Sequence, residues 1–143
     1  MPATNFMIGV KQCPGSNMAL TALGASVVQS PWNGGPEQKW IVQLNQFQDG
    51  GDFVSGYSLI NVGNNLACKF SGDKQPLTMV PNVYGDRDFV WRLDNVGGDF
   101  YAINRWDKNG VFDVKGDSCD VGAVVLVYPW NGGDNQKWHF IAT

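Results

Sequence analysis

Glutamate is almost missing from this 143-residue chain: Glu37 is the only one, and the other acidic residues are all aspartates. Glutamate favours helix interiors, whereas the short aspartate carboxylate bonds its own backbone, so the acidic residues here speak of turns. Charge of either sign is also thin, at 16% of residues where ~25% is typical, which argues against a charge-laced helical bundle. Lysines and arginines are scattered singly and the net charge is −3 with a pI near 4.8. No basic face is left to neutralise phosphates, so no nucleic-acid partner is expected. No run approaches the roughly twenty apolar residues of a membrane-spanning helix, so no membrane insertion is expected either. The segment Met1–Lys11 lacks a basic stretch followed by an apolar core and a cleavage site, which makes a cytoplasmic or non-classically secreted protein the expectation.

Histidine and cysteine are scarce too. With His139 alone, a multi-histidine metal site is excluded, and its place beside Trp138 in a final strand reads as structural rather than catalytic. Cys13, Cys68 and Cys119 cannot all pair within one chain and do not fall in a CxxC spacing. Free buried thiols are the expectation. No metal and no cofactor is expected. The cluster Asp107, Asn109, Asp113, Asp117 and Asp120 invites a calcium reading, but it lacks the loop spacing and the distal bidentate glutamate.

What the chain has instead is glycine, 18 residues of 143, and aromatics, including six tryptophans. Hydrophobic residues make up 43%, enough apolar area for one domain to bury a core without staples. It also repeats itself. Pro31-Trp-Asn-Gly-Gly-Pro-Glu-Gln-Lys-Trp40 recurs as Pro129-Trp-Asn-Gly-Gly-Asp-Asn-Gln-Lys-Trp138, and Asp88-Phe-Val-Trp91 is a worn middle copy. Three units follow, at about 1–46, 47–96 and 97–143.

Within each unit, β-branched and aromatic runs are separated by Gly, Asn, Asp and Pro at strand spacing. Strands are predicted near 4–10, 18–23, 26–30 and 38–44, then 57–62, 65–70, 76–81 and 88–93, then 99–104, 111–115, 123–128 and 136–142. No segment offers three clean helical turns. Twelve strands in three units that cannot bury their apolar faces alone call for closure. An all-β, threefold barrel of six strands capped by hairpins satisfies this, with Trp40, Trp91 and Trp138 as equivalent core indoles.

At this point the sequence resembles the ricin B-like, or R-type, lectins, β-trefoils marked by Gln-x-Trp in each of three units. Gln38-Lys-Trp40 and Gln136-Lys-Trp138 fit, while Phe89-Val-Trp91 keeps only the tryptophan. The likeness spans the whole chain and is similar to the single-domain fungal kind. It implies a carbohydrate-binding protein, not an enzyme, whose partners are glycans or glycoproteins of galactose or N-acetylgalactosamine type. By motif position, the third unit supplies Asp113 as the hydroxyl-accepting carboxylate, Tyr128 as the stacking ring, Asn135 as the amide partner and Gln136 as a second polar contact or a support. The first unit has Thr21, Ser30 and Glu37 at the three places, and the second has Cys68, Pro81 and Asp88, so neither is expected to bind in this manner.

The chemistry stands apart from the resemblance. A sugar offers adjacent hydroxyls, which an ionised carboxylate accepts, and an apolar C–H face, which a ring covers. One hexose at about −0.3 kcal/mol per heavy atom gives roughly millimolar affinity. Useful binding then needs an extended oligosaccharide, a multivalent surface or weak self-association into a homo-oligomer. Two other readings compete: mannose-type specificity on the same fold, and a partner or inhibitor subunit, such as accompanies some tyrosinases, with a disused sugar site. A glycosidase is disfavoured because no carboxylate pair is recognisable.

Overall fold

The computed structural model describes residues 4–143, and twelve strands run through them. They are β1 (Asn5–Val10), β2 (Met18–Leu23), β3 (Ser26–Pro31), β4 (Trp40–Asp49), β5 (Asp52–Asn61) and β6 (Ala67–Lys69). They continue as β7 (Thr78–Val80), β8 (Trp91–Gly97), β9 (Phe100–Arg105), β10 (Val111–Val114), β11 (Val125–Tyr128) and β12 (Trp138–Ala142).

Six of the strands close a ring. Antiparallel pairings link β1 to β4, β4 to β5, β5 to β8, β8 to β9, β9 to β12, and β12 back to β1. The other six form the hairpins β2–β3, β6–β7 and β10–β11, one per unit. These hairpins meet through Ser26 with Thr78, Val28 with Val124, and Pro76 with Leu126. This is a β-trefoil, and closing the ring leaves no long edge open inside the barrel.

The units share one internal bond. Trp40, Trp91 and Trp138 are fully buried, and each indole N–H donates to a carbonyl of its unit's second strand. The acceptors are Leu20 O at 2.9 Å, Cys68 O at 3.1 Å and Phe112 O at 3.2 Å. A buried indole needs such an acceptor, so the tryptophan both fills the core and locks the hairpin to the barrel. Ile8, Leu20, Leu59, Ile103 and Phe112 complete the centre.

The structure differs from the sequence reading in three respects. First, the fourth strand of each unit begins at its tryptophan, not two or three residues earlier. The preceding residues form 3-10 turns at Pro36–Gln38, Arg87–Phe89 and Asp134–Gln136. Glycine or aspartate before each turn lets the chain tighten before the strand starts. Second, β4 and β5 form a ten-by-ten hairpin that reaches Asp49 and Asp52 across Gly50-Gly51. Gly50 has φ +61, the left-handed conformation a two-residue hairpin turn demands. The polar Gln43–Gln48 stretch hid this extension.

Third, the expected free thiols reduce to Cys68, which is buried and whose proton is held more tightly by burial. Cys13 and Cys119 form a disulfide with Cα atoms 5.8 Å apart. Their 106-residue separation in sequence concealed a proximity that barrel closure creates. His139 stacks on Phe100 at 5.3 Å and lies so close over Gly9 that any side chain there would collide with the imidazole.

Candidate functional site

The strand pairings fix which residues are equivalent between units. Leu20, Cys68 and Phe112 share the tryptophan bond, so the next residues, Thr21, Lys69 and Asp113, are equivalent. Across the hairpins, Leu20 faces Gln29, Cys68 faces Met79 and Phe112 faces Val127. Ser30, Val80 and Tyr128 therefore correspond. In the second unit this moves the matching residues from Cys68 and Pro81 to Lys69 and Val80. A one-residue slip inverts the face of a strand, and only the pairing reveals it.

In the third unit, Asp113, Tyr128 and Asn135 converge on one pocket of about 350 Å³, which Lys74, Lys115, Asp117, Leu126 and Asn131 complete. Asp113 sits in β10, whose four residues are all buried. Its own side chain is the polar floor of the pocket. The 3-10 turn Asp134–Gln136 aims Asn135 and Gln136 inward, where both are buried. Tyr128 ends β11 with 39% of its surface exposed, a ring available for contact.

Gln136 belongs behind this pocket rather than in it. It is fully buried and its amide donates to Asp113 Oδ2 at 2.8 Å and to Pro129 O at 2.9 Å, while its oxygen accepts from Asn131 N at 2.8 Å. Of the two roles the sequence left open, support and second contact, this bonding matches support. Gln38 is its counterpart, bonded to Thr21 Oγ1, Pro31 O and Asn33 N. Asn135 donates to Val114 O at 3.2 Å.

Burial pushes the Asp113 carboxyl above the usual carboxylate range, and the nearby Asp117 charge adds to this. Hydrogen bonds from Gln136 and Asn135 act the other way by favouring the charged form. The result is a desolvated carboxylate, oriented by two amides, at the bottom of an open hollow.

Sequence reasoning missed several contributors. Lys74, from the second unit, places its ammonium 5.6 Å from the Tyr128 ring centroid, over one face. Its backbone N–H donates to Val127 O at 2.7 Å, which ties that loop to β11. Gln29, from the first unit, donates to Ser118 O and Asp120 O, both at 2.9 Å. It thereby holds the loop beyond Lys115–Asp117. Neither residue lies in the third unit, so no motif within that unit could have disclosed them. The aspartate cluster disperses: Asp113 and Asp117 line the pocket, while Asp107 accepts from Asn109 N and pairs with Arg105 at 3.1 Å.

No family model matches the chain. A ricin B-like lectin of Oryza sativa subsp. japonica is 29% identical over 139 residues, which cover 87% of this chain. The chain spans 40% of the length of that curated relative. Among solved structures, the designed threefold symmetric protein ThreeFoil superposes with a TM-score of 0.76 and 25% identity, covering 96% of this chain and 97% of its own. A Macrolepiota procera ricin B-like lectin in complex with lactose superposes with a TM-score of 0.74 and 17% identity, covering 98% and 96%. Closed barrel and threefold tryptophan bond make this chain a β-trefoil, and its sequence is similar to that of a ricin B-like lectin.

Proposed function

We propose that the chain is a carbohydrate-binding protein that seats a galactose- or N-acetylgalactosamine-type residue in the third-unit pocket. One observation carries the reading: Asp113, Tyr128 and Asn135, spread over 23 positions of sequence, line the same open hollow. Asp113 accepts sugar hydroxyls through the oxygen capacity its amide partners leave over, Tyr128 covers the apolar face, and Asn135 completes the polar rim. The galactose preference follows the resemblance, and the lactose bound by the Macrolepiota protein supports it.

Binding without hydrolysis is the chemistry this arrangement favours. Asp113 and Asp117 both line the pocket, but Asp113 Oδ2 is already engaged by the buried Gln136 amide, which suits a fixed hydroxyl acceptor better than a proton-shuttling acid. Nitrophenyl galactosides should release no nitrophenol above the blank rate.

A glycan array with wild type and Asp113→Ala tests the reading. Wild type should bind galactose-terminated glycans, and the variant should remain folded while losing roughly tenfold or more in affinity, the value of a charge-assisted bond. Equal signal from both proteins rejects the pocket. A blank array favours a partner or inhibitor subunit, which the replaced residues of the first two units also suit. Strongest signal on mannose-terminated glycans moves the specificity but keeps the site.

A further inference from the structure

Trp130 lies two residues beyond Tyr128 and leaves 46% of its surface exposed. The loop that carries it is rigid. Pro129 O on one side and Asn131 N on the other are both bonded to the buried Gln136 amide, and Asn131 Oδ1 accepts from Gly133 N at 2.8 Å. An indole held outward by a pinned backbone gives up little freedom when it meets a ligand.

Trp130 faces a separate hollow of about 390 Å³, lined with it by Asp94, Val96, Ala102, Asn104 and Lys108. Asn104 is buried and its amide donates to Asp94 Oδ2, which orients the carboxylate. Among the described residues, Asp94 pairs with no cation. Its oxygens are left to accept from a ligand, and Lys108 adds a donor at the rim. An apolar ring, an oriented carboxylate and an amide repeat the chemistry of the Tyr128 pocket.

The two hollows are neighbours on one ladder. Asn104 pairs with Val111 and Val111 pairs with Tyr128, so Asn104 and Tyr128 lie two strand spacings apart, about 10 Å. A short oligosaccharide spans that distance.

We propose that the Trp130 hollow is a second subsite that seats a further pyranose of a glycan whose terminal residue occupies the Tyr128 pocket. The inference rests on the sugar-binding reading of that pocket. Indole stacking supplies the apolar contact, Asp94 and Asn104 accept hydroxyls, and the two subsites together turn a weak single-residue site into one selective for extended chains.

Calorimetric titration with methyl galactoside and with the galactose-terminated tetrasaccharide lacto-N-neotetraose tests it on wild type, Trp130→Ala and Asp113→Ala. Wild type should prefer the tetrasaccharide. Trp130→Ala should lose about tenfold on the tetrasaccharide alone, the worth of one aromatic stack. Asp94→Asn should weaken the tetrasaccharide in the same selective way, without the change in apolar surface. Asp113→Ala should lose both ligands. Equal affinity of wild type and Trp130→Ala for the tetrasaccharide overturns the subsite while leaving the Tyr128 pocket standing. Failure of wild type to bind either sugar, or an Asp113→Ala variant that binds both normally, overturns the underlying reading and this one with it.

Discussion

Asp113 shows how one residue carries opposed demands. Its carboxyl is held above the usual range chiefly by burial, so folding favours the protonated form. The stabilising protonation is fully present below the unfolded value, about 4, and is lost as pH rises through the raised folded value. Asp113→Asn keeps the acceptor for Gln136 and removes the buried charge, so at neutral pH the variant should be more stable than wild type. The difference should disappear below about pH 4, where the unfolded carboxylate is also protonated. Paired urea melts at pH 7 and pH 3.5 read this directly. Sugar binding should follow the reverse course, weakening as the carboxylate protonates, because the hydroxyl acceptor is the ionised form. Gln136 adds a second residue-scale prediction. Gln136→Leu strands Pro129 O and Asn131 N and should cost about 1–3 kcal/mol in a denaturant melt.

Elements that are far apart in sequence share the work of shaping the pocket. The 11–17 loop of the first unit and the 115–122 loop of the third are joined by Cys13–Cys119, and Gln12 donates to Asp117 O beside the bond. Gln29 anchors the far end of the same loop. Cross-linking residues this remote constrains the unfolded chain strongly. Reduction, or the pair Cys13→Ser and Cys119→Ser, should therefore lower stability by about 2–4 kcal/mol. Lys115, Gly116 and Asp117 line the pocket just before Cys119, so the same change should weaken glycan binding without touching Asp113. Titration under reducing and oxidising conditions separates the two effects. The long β4–β5 hairpin is held differently. Phe47 meets Trp106 edge-on at 5.1 Å, Arg87 lies over both rings, and Asn45 ties the hairpin to Val83 and Gly85.

For the molecule as a whole, the threefold architecture and the proposed single sugar site part company. The three units keep the tryptophan bond because each indole closes its own hairpin onto the common core. The pocket chemistry is free to drift, since a threonine or a lysine in place of the aspartate leaves the barrel intact. A molecule with one such pocket lacks the second site needed to bridge cells. A species that sediments as a monomer should bind on a glycan array yet agglutinate cells poorly, whereas strong agglutination by a monomer would reveal a second working unit.

Much of this was legible beforehand. The ten-residue repeat and the spacing of Trp40, Trp91 and Trp138 point to a threefold closed barrel, because three equivalent units must bury their apolar faces together and closure satisfies all three at once. The resemblance to the ricin B-like lectins, rather than the repeat, singles out Asp113, Tyr128 and Asn135, which lie within one unit at that family's spacing. Tertiary structure alone decided the rest. It set the second unit's register, where Lys69 displaces Cys68, since a pairing partner and not the strand itself defines the face. It brought Cys13 to Cys119 and set Lys74 over Tyr128, contacts between units that no local pattern encodes. It also turned Gln136 inward and Trp130 outward within one loop, because hydrogen-bond satisfaction of a buried amide fixes where the neighbouring indole must point.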